Sequence, residues 1–497
     1  MPSMQDFEYQ LGLLKLESEQ DEIEDASLAP VFAGPILDMP IPTPSQYGLL
    51  GGVKSVSTLT NQRTVHDKDP RLLFNVASPS STFICGSQGS GKSHTLSCLL
   101  EDCLIPSRAG QLSNPLTAVI FHYDTFISDT AGSPCEAAFL STDPNIVVRV
   151  LCAPTNIRTI KRTYSRFSNI TVEPLKIDQI DLNTKRMLDL MGVGQDSSSP
   201  LPLYMYTIQR VLREMRIDQQ THETEFDYAN FKYRIGAAGL LLGQLEPLKQ
   251  RLDCLESFMP PKQTITGSKP TGKKDKDATT RKSLGSSWKP KASQLTIVDL
   301  SCPCISADTA CSLFNVCFGI FMEQDSQIGR IIALDEAHKY MKGSVEAKNF
   351  TETLLSTIRL QRHLGARIFV STQDPTISSD LISLCSITIV HRFSSPAWLY
   401  ALQGQIAAAA LGAVSKKGSA EDPDVVSKYA LFHQIVRLRV GEALLFCPNA
   451  AFPITPEDDK GVQGSKAPKL MTLGAGYVVI KVRDRLTEDG GKSVLSS

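Results

Sequence analysis

The chain has 497 residues, enough for one large α/β core with appendages, and its 51 basic and 52 acidic residues leave a net charge of -1. Such balance excludes a global field that would mark the whole protein for nucleic acid or a membrane surface. Twelve scattered cysteines, with no basic leader and apolar run, exclude a secreted disulfide scaffold and place the expectation in the cytosol or nucleus; no apolar stretch reaches the ~18 residues of a spanning helix, so no membrane partner is expected.

The first elements in chain order are weak ones. MPSMQDFEYQLGLLKLESEQDEIEDASLAP is acidic and DMPIPTPSQYGLLGG is rich in Pro and Gly, so residues 1–45 are expected to be largely disordered. From there to about 455, short β-branched runs alternate with helical patterns, the signature of a mostly parallel sheet with helices on both faces. STFIC predicts the first such strand, and GSQGSGKS follows it directly. That spacing, G-x-x-x-x-G-K-S between a strand and a helix, is a phosphate-binding loop: glycines let backbone N–H groups wrap a phosphate chain at a helix N-terminus. Gly86, Ser87, Gln88, Gly89, Ser90, Gly91, Lys92 and Ser93 are the candidate nucleotide-binding residues, with Lys92 reaching the β and γ phosphates and the Ser93 hydroxyl ligating Mg²⁺. The helix that follows carries Leu96, Leu99, Leu100 and Cys103 on one face.

LTAVIFHYD and NIVVRVLC predict further strands, and the region from about 125 to 225 reads as an insertion. Leu245, Leu248, Leu252 and Leu255 stand at helical spacing and are read as packing. Residues 260–294 form a basic linker with nine Lys or Arg against two Asp. It is open to three readings: a solvated loop, a nucleic-acid backbone contact or a nuclear-import signal. TIVDLS feeds a helix with Cys311, Phe314, Phe318 and Phe321 on one face; Cys302, Cys304, Cys311 and Cys317 lack the paired knuckles of a zinc site and are read as core.

RIIALDEAHKY ends an apolar strand on two acids. Asp335 is placed to hold the Mg²⁺ shell and Glu336 to accept a proton from an attacking water. DEAH is thus these two acids followed by Ala-His, not an RNA-helicase signature, and His338 is read as a helix residue, with contact at the edge of the active site as the alternative. FTETLLSTIRLQRHLG closes on a capping glycine, and ARIFVST ends beside Gln373, a candidate bridge between γ-phosphate and water. SITIVHRF and EALLFCP supply more strands, and 456–497 is read as a C-terminal strand and tail. The expected reaction is ATP hydrolysis with Mg²⁺.

The order GSQGSGKS, TIVDLS, IIALDEAH, LLSTIRLQRHLG, IFVSTQDP, ITIVHRF, GEALLFCP resembles that of the HerA/FtsK superfamily of P-loop ATPases, relatives of VirB4, VirD4 and TraG and distantly of Zot-type ATPases. The resemblance covers about 70–450. It implies a RecA-like domain in a homo-oligomeric, hexameric ring that moves double-stranded DNA or protein, with catalysis resting on Lys92, Glu336 and Gln373 and a neighbouring subunit giving an arginine to the γ-phosphate. Arg359, Arg362 and Arg392 are the candidates. A nucleotide-operated switch acting on a protein partner is the alternative.

Overall fold

The computed structural model describes residues 22–23, 26–57, 62–64, 69–125, 132–191, 203–264, 284–325, 327–406, 431–453 and 470–490. Strands of five or more residues are β1 (Tyr47–Ser57), β2 (Arg71–Asn75), β3 (Ser81–Cys85), β4 (Thr117–His122), β5 (Val147–Cys152), β6 (Ile170–Pro174), β7 (Gln294–Asp299), β8 (Arg330–Leu334), β9 (Ala366–Thr372), β10 (Ile387–His391), β11 (Glu442–Phe446) and β12 (Tyr477–Val482). The longer helices are α1 (Lys92–Leu104), α2 (Leu203–His222), α3 (Tyr228–Ala237), α4 (Leu242–Ser257), α5 (Ala307–Glu323) and α6 (Val345–Arg359).

One sheet runs through the molecule in the order β6-β5-β7-β4-β8-β9-β3-β10-β11-β12-β1-β2. From β6 to β10 every pairing is parallel; from β10 onward the pairings are antiparallel. Strand alternation sends Phe83 and Cys85 to one core and Ile84 to the other. Both faces are covered, so the parallel strands read as unbroken apolar runs. The predicted face of α1 packs into the second core with Leu96, Leu99, Leu100 and Cys103. The first core takes Cys311, Phe314, Phe318 and Phe321 of α5, and Leu248, Leu252 and Leu255 of α4. Gly365, at φ 58, ends the helical run before β9. The strand that carries the phosphate loop, β3, is separated from the acid-bearing β8 by β9. This strand order, with the loop between β3 and α1, is that of a RecA-like P-loop NTPase fold.

Three segment boundaries differ from those expected. Residues 26–45 are not loose: Val31–Ala33 pairs antiparallel with β2, Val31, Phe32 and Ile36 are fully buried, and Phe32 meets Tyr47 edge-on at 5.8 Å. Pro and Gly there shape a path across the sheet instead of preventing one. The basic linker is shorter than 260–294. Leu284 N–H donates to Asp178, Ser286 exchanges hydrogen bonds with Lys176, and Trp288 is buried; residues 265–283, with most of the lysines, lie outside the described residues. Finally, β12 is no appendage, because it sits between β11 and β1 inside the sheet. Among the described residues no helix is long and apolar enough to cross a membrane.

Candidate functional site

Parallel register brings the predicted residues together. Leu334 lies beside Phe121 and Val370, and Thr372 beside Cys85, so the carboxyl ends of β4, β8, β9 and β3 form one edge. In open α/β sheets that edge is where ligands sit.

The loop after β3 is braced from its neighbours. Ser87 donates its N–H (2.9 Å) and hydroxyl (2.8 Å) to the Arg392 carbonyl, and the Ser90 hydroxyl donates to Ser87 O at 2.7 Å. Gly86 has φ 152, and a Cβ there would lie 2.7 Å from the His391 Cβ; Gly91 has φ 111, and its Cβ would crowd Gly441 N at 3.2 Å. Both positions need glycine, for conformation and for space. Gln88 and Gly89 are exposed at the loop tip and Ser93 is half-buried in the first turn of α1. Lys92, 4% exposed, donates to Ser87 O at 3.0 Å. Burial lowers its pKa against the opposing charges of Glu336 and Asp335.

His391, absent from the sequence reading, anchors the loop from behind. It is fully buried, and burial pushes it down to about 3, so it is neutral. Nδ1 faces the Glu442 carbonyl at 3.0 Å and must carry the proton, which leaves Nε2 to accept from the Thr95 hydroxyl at 2.9 Å. One imidazole thus ties α1 to β10 and β11.

At the end of β8 the two acids diverge. Asp335 is buried; its Oδ2 lies 3.1 Å from His122 Nδ1 and 3.6 Å from Cys135 Sγ, while its buried Oδ1 has no hydrogen-bond partner among the described residues. Burial opposes its charge, but the hydrogen bond and charge of His122, with Lys339, outweigh it and hold the carboxyl below its usual value. An anionic oxygen left bare in a buried place fits a cation. Glu336 adopts the left-handed backbone at φ 47, a conformation that costs a non-glycine residue about 1–2 kcal/mol and collects at functional sites. Burial, with the charge of Asp335, raises its pKa, against Lys92, Lys339 and Gln373.

Gln373 Nε2 donates to Glu336 Oε2 at 3.1 Å, so the residue after β9 touches the acid after β8. His338 lies 3.3 Å from the same oxygen through Nδ1. That contact is not an ion pair: Nδ1 accepts the Gln373 N–H at 3.3 Å, and burial with the neighbouring lysines pushes His338 down to about 4. Of the three arginines, Arg359 and Arg362 are exposed beyond the amino end of β9, the sheet edge opposite Gln373. Arg392 is exposed beside the loop.

His122 and Cys135 were also missed. A histidine ending an apolar strand is an ordinary terminus in sequence, and Cys135 reaches the site from a loop. No family model and no curated protein sequence matches the chain. Among solved structures it is similar to VirB4 of Thermoanaerobacter pseudethanolicus, with 10% identity and TM-score 0.43 over 87% of this chain and 96% of that one. It is similar to the plasmid coupling protein TrwB in complex with ADP and Mg²⁺, with 12% identity and TM-score 0.41 over 87% and 96%. A third likeness is to the cytoplasmic domain of the type VII secretion ATPase EccC of Thermomonospora curvata, with 11% identity and TM-score 0.28, covering 90% of this chain and 30% of that one. Strand order and phosphate loop together make the chain's fold RecA-like.

Proposed function

We propose that the protein is a Mg²⁺-dependent ATPase. The reading is carried by one observation: Lys92, Asp335, Glu336 and Gln373 come from three separate strand ends onto one edge, and Gln373 bonds Glu336 at 3.1 Å. The loop N–H groups and Lys92 would bind the β and γ phosphates, Lys92 exchanging the Ser87 carbonyl for phosphate oxygen. Ser93 and the bare Oδ1 of Asp335 would hold Mg²⁺, which when bound neutralises charge developing on the phosphoryl oxygens. Glu336 takes the proton of the attacking water while Gln373 orients both. Opposite pKa displacements of the two acids fit this division: Asp335 stays anionic to hold the ion, and Glu336 is tuned toward a base.

Lys92→Ala should weaken ATP binding about 10- to 100-fold, the value of hydrogen bonds to charged groups. Glu336→Gln should bind ATP normally and turn over about 10²- to 10⁴-fold more slowly. Wild-type turnover in Glu336→Gln would show the base assignment to be wrong. The finer reading, supported by motif order, is an oligomeric motor acting on double-stranded DNA.

A further inference from the structure

We propose that His122 and Cys135 are positioning residues for the metal-holding carboxylate, two buried donors that fix Oδ2 of Asp335 so that Oδ1 alone is left for the ion. The inference rests on the reading of Asp335 as a Mg²⁺ ligand.

Register supplies the arrangement. His122 ends β4 in line with Asp299 at the end of β7, and on its other side Phe121 pairs with Leu334, which sets His122 beside Asp335. Three polar side chains therefore stand in a row on adjacent strand ends, all within the interior. His122 Nδ1 faces a carboxylate oxygen, which only accepts, so this nitrogen carries a proton whichever charge the ring has. The Cys135 thiol faces the same oxygen at 3.6 Å, and because a carboxylate oxygen only accepts, the thiol is the donor there.

Cys135 is itself held in place. Its N–H donates to the Tyr164 hydroxyl at 3.0 Å, and that hydroxyl donates to Asp299 Oδ2 at 2.7 Å. Asp299 Oδ1 accepts from Ser301 N at 3.0 Å. The carboxylate is thus gripped from two directions, by the neighbouring strand and by a loop pinned through Tyr164. Groups that hold metal ligands in orientation typically contribute 10- to 100-fold in metal affinity.

His122, Cys135 and Asp335 each bring a ligand atom within 4.8 Å of the others, a set that a soft divalent cation would also accept. Hydrogen-bond spacing of 3.1 Å between nitrogen and oxygen, and a thiol set against an oxygen that only accepts, favour the clamp.

The test is Mn²⁺ affinity of the full chain with a non-hydrolysable ATP analogue, read by electron paramagnetic resonance. His122→Leu should weaken Mn²⁺ binding about 10- to 100-fold and leave metal-free nucleotide binding unchanged, and His122→Asn, which restores a donor near the Nδ1 position, should recover most of it. Cys135→Ala should weaken Mn²⁺ and Cys135→Ser should not, a smaller change that keeps the test alive if His122→Leu does not fold. If Asp335→Asn weakens Mn²⁺ while both donor-deleting variants bind it normally, the clamp is overturned; if Asp335→Asn itself has no effect, the Mg²⁺ reading fails instead. Stoichiometric Zn²⁺ uptake by the nucleotide-free protein, lost in His122→Leu and Cys135→Ser, would also overturn it.

Discussion

Glu336 concentrates unfavourable terms at one residue: a left-handed backbone, partial burial and an anionic neighbour in sequence. Its folded pKa lies above that of a free glutamate, near 4.3. For a carboxyl raised in this way the native state binds the proton more tightly, so the stability it contributes is present below the unfolded pKa and is lost as pH rises through the folded one. At neutral pH the ionised Glu336 is therefore a cost. Glu336→Gln keeps an acceptor for Gln373 and removes the charge. Thermal unfolding should place this variant above wild type at pH 7, with the gap closing as pH falls toward 4; a variant that melts below wild type at pH 7 contradicts this account. The residue that would serve catalysis is one the fold holds at a disadvantage.

The element that holds α1 is the segment after β12. Glu101, fully buried, receives Arg483 Nη1 at 2.7 Å, the N–H groups of Leu486 and Thr487, and the Thr487 hydroxyl at 2.6 Å; Asp102 receives Arg483 Nη2 at 2.9 Å. The two acids share a guanidinium yet move in opposite directions. Burial opposes the charge of Glu101, but its several donors outweigh burial and lower its pKa. Asp102 has mainly Arg483, so burial wins and lifts it to about 7. Arg483→Met would leave both acids in the interior without that cation, a loss of about 3–5 kcal/mol. Chemical denaturation should show it, and adding Glu101→Gln should recover part of the loss. If the single variant unfolds like wild type, the clamp is idle.

At the scale of the molecule, the parallel half of the sheet was readable because strands buried on both faces must be continuously apolar, and the motifs fall where those runs stop. Lys92, Asp335, Glu336 and Gln373 were found this way. Val31–Ala33 was not, since its partner β2 lies elsewhere in sequence and nothing local marks a short strand amid prolines. His122 and His391 were invisible for a related reason: each acts through contacts with elements distant in sequence, and a lone histidine has no spacing to read. The work that ATP would serve is tested on the whole protein, by turnover and assembly mass with and without double-stranded DNA. DNA-stimulated turnover and a ring-sized assembly are expected of the motor; a monomer indifferent to DNA would favour a switch on a protein partner.

The clamp on α1 also sets a timetable. Arg483 and Glu101 are separated by 382 residues, so a nascent chain displays the phosphate loop, both acids and Gln373 well before β12 and its arginines emerge. Ribosomes release roughly 5–20 residues per second, which leaves Glu101 and Asp102 waiting many seconds for their cation. A product terminated before Tyr477 would carry the phosphate loop, both acids and Gln373 and still lack β12 and the arginine that pairs with Glu101 and Asp102.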